Sequence, residues 1–242
     1  MPVQHERGYL IPAINTDVDY VSCAERLADS VRRWHPAAHI TIVTEEMLPY
    51  GNLGGYANDW QMFQLSPYRQ TIKLEADMIA ATPVDHWWTM FEHRDVVISQ
   101  GCRTIYNEIS DVRAYRKLFD VNGLPDVYNA ITYWRLSKTA KDFFDIVRSI
   151  FENWDEYKKL LKFPEDIPST DVVYAIAAKI VGPELVTLPP GYGPNIVHMK
   201  RYHQPIQGQN WTQELVWETD PFRINTVAQL GFVHYHVKDW QP

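Results

Sequence analysis

The order of elements in the first part of the chain leaves few folds open. Tyr9 to Ile14 is an apolar run of strand length, and after it Ala24, Leu27, Ala28, Val31 and Trp34 recur at a helical period. Ser22 with Glu25 three residues later predicts a capping box at the start of that helix, and Pro36 predicts its end. Ile40 to Val43 predicts a second strand. A turn carrying Gly51, Gly54 and Gly55 leads to a short helix from about Tyr56 to Leu65, and Thr71 to Leu74 predicts a third strand. Strands alternating with helices at this spacing build a parallel sheet whose crossovers cover its faces. The expected class is α/β, with a mostly parallel central sheet and helices on both faces.

Further along, Val96 to Ser99 and Val127 to Tyr133 predict strands, and Lys138 to Phe151 is an amphipathic helix through Phe143, Phe144, Ile146, Val147 and Ile150. Thr170 to Ile180 predicts another helix, closed by Gly182 and Pro183, and Leu185 to Asp239 reads as short strands and loops. No linker interrupts this order, so one domain over 1–242 is expected. The longest apolar stretches, such as Val172 to Val181, fall short of the ~20 residues of a membrane span, and no basic-then-apolar leader opens the chain. Two cysteines, Cys23 and Cys102, exclude a disulfide framework and a four-cysteine zinc site, which fits a cytoplasmic protein. Lys and Arg number 23 against 30 Asp and Glu, a net charge of −7 that argues against a broadly basic nucleic-acid surface and leaves a local groove open. With 9 Trp, 14 Tyr and 9 Phe, the chain has more aromatic faces than a core needs, and such faces suit sugars and bases.

Several familiar sites are missing. The loop after the first strand reads Asn15-Thr16-Asp17-Val18-Asp19, with no G-x-G-x-x-G, and its carboxylates would repel a pyrophosphate. G-x-x-x-x-G-K-S/T, H-E-x-x-H, G-x-S-x-G and C-x-x-C are also absent. The chain does have Glu75 and Asp77, just after the third strand. In extended chain these point the same way, at the strand ends where open α/β sheets bind ligands. Hard oxygen donors of this kind suit Mg2+ or Mn2+ bridging to a diphosphate. Spacing alone is weak, since about 4 such acidic pairs are expected by chance at this composition. At the C-terminus, strand alternation puts His234, His236 and Lys238 on one face: two imidazoles suited to a metal and an ammonium suited to phosphate.

Together these residues resemble the GT-A nucleotide-sugar-dependent glycosyltransferases, especially the glycogenin-like and lipopolysaccharide galactosyltransferase-like family. Leu74-Glu75-Ala76-Asp77-Met78 is similar to the family's Y-L-D-A-D-M, with Glu in the first acidic place. Tyr128-Asn129-Ala130-Ile131 is similar to F-N-A-G without its glycine. His234-Tyr235 with Lys238 and Trp240 is similar to H-F-x-G-x-x-K-P-W, with the histidine-to-lysine interval two residues shorter, so His236 is an alternative to His234.

The resemblance implies a nucleotide-binding half at about 1–100 and an acceptor and donor-sugar half at about 101–242. It implies a UDP-sugar or related donor and a Mn2+ or Mg2+ ion held by Asp77 and His234 or His236, with Glu75 on the metal or the ribose. Lys238 would meet the diphosphate, Asn129 the donor sugar, and Ala13, Asn15, Asp17 and Tyr20 the nucleoside. Asp171, opening a helix, would lie near the reacting sugar, or act only as an N-terminal carboxylate favoured by the helix dipole. Trp60 and Lys73 are assigned with the donor-binding group. The runs Asn58-Asp59-Trp60-Gln61 and Glu108-Ile109-Ser110-Asp111-Val112-Arg113 also resemble glycosyltransferases of tailed phages, some of which glycosylate hydroxymethylated pyrimidines in DNA. That suggests a DNA acceptor met by Arg113, Arg116, Lys117, Lys200 and Arg201, with Trp211 nearby, in a host cytoplasm. The other acceptor is a glycan or lipopolysaccharide. A sugar-phosphate nucleotidyltransferase and a non-catalytic nucleotide- or glycan-binding module are the rival readings, and no protein partner is expected.

Overall fold

The structure, a computed structural model, describes residues 2–110, 116–189, 192–194, 196–198, 215–216, 223–224 and 227–235. In chain order its elements begin β1 (His5–Pro12), α1 (Tyr20–Trp34) and β2 (Ile40–Val43), then a 3-10 stretch (Gly55–Gln61) that runs into α2 (Met62–Leu65). β3 (Tyr68–Leu74), β4 (Met78–Ala80), α3 (His86–Phe91), β5 (Val96–Gln100), β6 (Cys102–Arg103) and β7 (Ile109–Ser110) follow. Next come α4 (Arg116–Asn122), β8 (Val127–Arg135), α5 (Lys138–Glu152), α6 (Trp154–Leu161), α7 (Thr170–Val181) and α8 (Pro183–Val186). The last described elements are β9 (Ile196–His198), β10 (Leu215–Val216), β11 (Arg223–Ile224), β12 (Val227–Ala228) and β13 (Phe232–His234).

The central sheet has the order β2-β1-β3-β8-β5. β1 runs parallel to β2 and β3, and β8 is antiparallel to both β3 and β5, so the sheet is mostly parallel with one reversed strand. Alternation along β1 divides the core. Tyr9 and Ile11 pack with Cys23, Leu27 and Val31 of α1, while Leu10 faces Phe144 and Val147 of α5 and Val173 of α7. Helices therefore cover both faces, as the early pattern implies. A second sheet, in the order β4-β13-β9-β6-β7, joins the first where the chain leaves β3 and enters β4. Among the described residues no helix is long and apolar enough to cross a membrane.

Two local expectations change. Helix α1 starts earlier than the Ser22–Glu25 box implies: Asp19 is its N-cap, accepting from the Ser22 amide at 3.1 Å and from the Ser22 hydroxyl at 2.6 Å. The Ser22 hydroxyl and amide bonds hold the Asp19 carboxyl below its ordinary pKa. The helix expected over Tyr56 to Leu65 is a 3-10 stretch followed by a single α-turn, because Asn58 is committed to the preceding glycine turn. Its Oδ1 accepts from the Leu53 amide at 2.8 Å and its Nδ2 donates to Asn52 at 2.8 Å.

Gly8 is the one point where the parallel core strands require a missing side chain. A Cβ there would lie 2.3 Å from the Tyr68 ring, which is buried and bonded through its hydroxyl to Thr41 at 2.7 Å. Gly8→Ala is expected to destabilise the fold by about 1–3 kcal/mol, as overpacking does. Urea unfolding checks this, and an unchanged midpoint would contradict it.

Candidate active site

The carboxyl ends of β1 and β3 open into a cavity of about 520 Å³, within the range of small-ligand sites. Pro12 at the end of β1, Ile14 and Thr16 from the loop after it, and Tyr20 at the start of α1 form one wall. Gly55, Tyr56, Asn58, Asp59 and Met62 form the facing wall, and Thr170 at the start of α7 closes it further. Lys73, Glu75, Ala76, Asp77 and His234 complete the lining from the junction of the two sheets.

That junction explains the placement of the acidic groups. The Glu75 amide donates to the Ala130 carbonyl at 3.1 Å, extending β3 along β8 for one more residue. The chain then bends through Ala76 and Asp77, and the Tyr235 amide donates to the Asp77 carbonyl at 3.1 Å as β4 pairs with β13, His234 opposite Met78. Glu75 thus ends the ladder and Asp77 lies in the bend, and both reach His234, whose Nε2 lies 3.1 Å from Asp77 Oδ2 and 3.4 Å from Glu75 Oε2. One ligand atom from each of the three lies within 4.8 Å of the others. Two carboxylate oxygens and an imidazole nitrogen converging beside a cavity are a donor set suited to Mn2+ or Mg2+. His234 is fully buried and bonded on its other nitrogen to the Tyr128 hydroxyl, the outer support that a ligating histidine ordinarily has.

The remaining expected residues are placed as follows. Tyr20 lines the cavity, and burial raises its hydroxyl pKa. Asn15 accepts from the Val21 amide at 3.1 Å and Asp17 from the Thr16 hydroxyl at 2.9 Å, both exposed in the loop beside that wall. Ala13 is buried in the core, with its amide on the Val43 carbonyl at 2.8 Å. Asn129 and Asp171 are bonded to each other, the Asn129 backbone N–H donating to Asp171 Oδ1 at 2.6 Å, and Asp171 follows the lining residue Thr170 in α7. Trp60 is outside the lining, its ring tilted against Tyr50 with centroids 5.1 Å apart and covered by the Arg148 guanidinium at 4.7 Å. Lys73 lines the cavity with its Nζ 2.5 Å from Asp59 Oδ1. His236, Lys238 and Trp240 lie outside the described residues, as do Asp111, Val112, Arg113, Lys200, Arg201 and Trp211; Arg116 opens α4 and Lys117 is exposed.

Sequence reasoning passed over Asp59, Tyr174 and His198. Asp59 accepts both from Lys73 and from the Tyr174 hydroxyl. The signal for Asp59 was present: a lysine inside the apolar strand Thr71 to Leu74 needs a buried counter-charge. His198, which meets the Tyr128 hydroxyl, had only the weaker signal of a histidine ending an apolar Ile196-Val197 pair.

No family model matches the sequence, and no curated protein matches it by sequence. Solved structures do match it by fold. The galactosyltransferase LgtC, solved with donor and acceptor sugar analogues, superposes with a TM-score of 0.53 over 97% of this chain and 89% of its own, at 14% identity. Mouse xyloside xylosyltransferase 1, in its apo form, gives a TM-score of 0.53 over 99% of this chain and 100% of its own, at 9% identity. The architecture of the chain is therefore the GT-A fold.

Proposed function

We propose that the protein is a metal-dependent glycosyltransferase that moves a sugar from a nucleoside diphosphate sugar to an acceptor hydroxyl. The observation that carries this reading is the convergence of Glu75, Asp77 and His234 in the lining of a strand-end cavity large enough for a ligand. A divalent cation held there would supply charge neutralisation for a departing diphosphate. The chain's own residues account for the rest of the site. Tyr20, beside the loop after β1, and Tyr56, on the facing wall, offer aromatic faces for a base. Asp59 and Lys73 neutralise each other at the cavity surface, so this region presents hydrogen-bonding groups rather than net charge. A carboxylate has about four acceptor sites, and Asp59 uses one for Lys73 and one for Tyr174, which leaves capacity for sugar hydroxyls. Asp171, held by the Asn129 backbone N–H and next to the lining residue Thr170 in α7, is the carboxylate we assign to positioning the acceptor or receiving its proton.

Glu75, Asp77 and His234 also weigh against a simple glycan-binding module, since binding sugar hydroxyls does not require a phosphate-facing cation. The acidic loop after β1 weighs against a nucleotidyltransferase, which usually carries a basic, glycine-rich phosphate loop there. The deciding experiment is a panel of nucleotide-sugars assayed for hydrolysis and transfer, with and without Mn2+ and Mg2+. Metal-dependent release of nucleoside diphosphate from at least one donor is expected, and release of pyrophosphate from a nucleoside triphosphate and sugar phosphate would favour the nucleotidyltransferase instead. The phage-like runs make hydroxymethylated DNA the acceptor to try first, with unmodified DNA and oligosaccharides beside it. Transfer to hydroxymethylated DNA that falls steeply with salt supports the DNA acceptor. Transfer to an oligosaccharide with little salt effect replaces it with a glycan.

A further inference from the structure

Behind the three converging groups, on the side of His234 away from the carboxylates, the Tyr128 support of His234 continues into a polar cluster with His198. His234 turns Nε2 towards Glu75 and Asp77 and Nδ1 towards the Tyr128 hydroxyl, and the same hydroxyl meets Nδ1 of His198. β9 and β13 pair in parallel with His198 opposite His234, their rings 5.8 Å apart, while Tyr128 reaches them from β8 of the other sheet. Tyr128, His198 and His234 are 4%, 8% and 1% exposed, so water contributes little to ordering their protons.

A hydroxyl placed between two imidazole nitrogens has one proton, so it donates to one ring and accepts from the other. The two polarities have different consequences. If Tyr128 donates to His234, the neutral His234 ring carries its proton on Nε2, facing the carboxylates, and offers no lone pair there. If Tyr128 donates to His198, it accepts Nδ1–H from His234, and the Nε2 lone pair is turned towards Glu75 and Asp77. We propose that Tyr128 and His198 are positioning residues that select this second polarity, so that a divalent cation meets two carboxylates and a lone pair already oriented. The inference rests on the metal-site reading above. His198 has no need to approach the cation; its role is to accept the tyrosine's hydrogen bond and so fix the direction of the chain of bonds.

Calorimetric titration of the full chain with Mn2+, for the wild type, Tyr128→Phe, His198→Ala and Asp77→Ala, tests this when combined with thermal unfolding of each protein without metal. Wild-type binding that disappears in Asp77→Ala places the ion at this site. Both Tyr128→Phe and His198→Ala are expected to bind Mn2+ about 10–100-fold more weakly at temperatures where they remain folded, the range typical of lost outer support to a ligating histidine. His198→Phe, which keeps ring volume without an acceptor nitrogen, serves if His198→Ala does not fold, and the same loss is expected of it. Affinity unchanged in the folded variants, even with lowered melting temperatures, would mean a packing role only and overturn this inference while leaving the metal site standing. A wild type that binds no Mn2+ overturns both readings.

Discussion

Asp77→Ala is expected to lower turnover of the nucleotide-sugar donor by on the order of 10²–10³-fold, comparable to removing one strong electrostatic stabiliser from an active site. The substitution removes the carboxylate 3.1 Å from His234 Nε2 but keeps the backbone carbonyl that accepts from the Tyr235 amide, so the junction between β4 and β13 is retained. Loss of activity is therefore expected with little loss of stability. Calorimetry with a nucleoside diphosphate should show wild-type binding that strengthens with Mn2+ or Mg2+, and an Asp77→Ala protein in which the metal makes little difference. Glu75, more exposed and slightly farther from His234, should give a smaller loss on substitution to alanine. Equal affinity of the wild type with and without metal would sink the argument at its root.

The parallel sheet and its helices were legible because each element carries its own periodicity. The apolar residues of α1 and α5 recur at the helical period, and the runs at β1, β2 and β3 are short and bounded by turn residues. Pairing between distant segments was less legible. The expectation for Glu75 and Asp77 relied on strand alternation, whereas their convergence depends on a bend and on β13, more than 150 residues later in the chain, pairing antiparallel with β4. His234 could be nominated from its neighbourhood in sequence, but its hydroxyl partner Tyr128 and the second histidine beyond it come from two other strands. Asn129 and Asp171 illustrate the same limit. Each was nominated separately for the sugar, and only the packing of α7 against β8 brings Asp171 to the Asn129 amide.

The largest effect on stability is expected at the cavity's buried ion pair. Lys73 is 1% exposed and Asp59 has 11% side-chain exposure, so Asp59→Ala would leave a buried ammonium without its carboxylate, with the Tyr174 ring 5.6 Å from Nζ. Removing one partner of such a pair ordinarily costs about 3–5 kcal/mol, most of it the penalty on the charge left behind. Tyr174, whose hydroxyl pKa burial and the neighbouring Asp59 raise, would lose its acceptor as well. Lys73→Met should cost less, because Asp59 keeps the tyrosine's hydrogen bond and has greater exposure. Combining Asp59→Ala with Lys73→Met removes the stranded charge, and the double variant should be more stable than Asp59→Ala alone. Urea unfolding of the wild type, both single variants and the double variant closes the cycle. Strictly additive losses, or a cost below about 1 kcal/mol for Asp59→Ala, would mean that the ammonium finds solvent or another partner. Because both residues also line the cavity, the cycle has a functional counterpart. If the pair presents hydrogen-bonding groups rather than net charge to the donor, Lys73→Met should weaken nucleotide-sugar binding less than Asp59→Ala does, the reverse of the order expected if Lys73 were bound to phosphate.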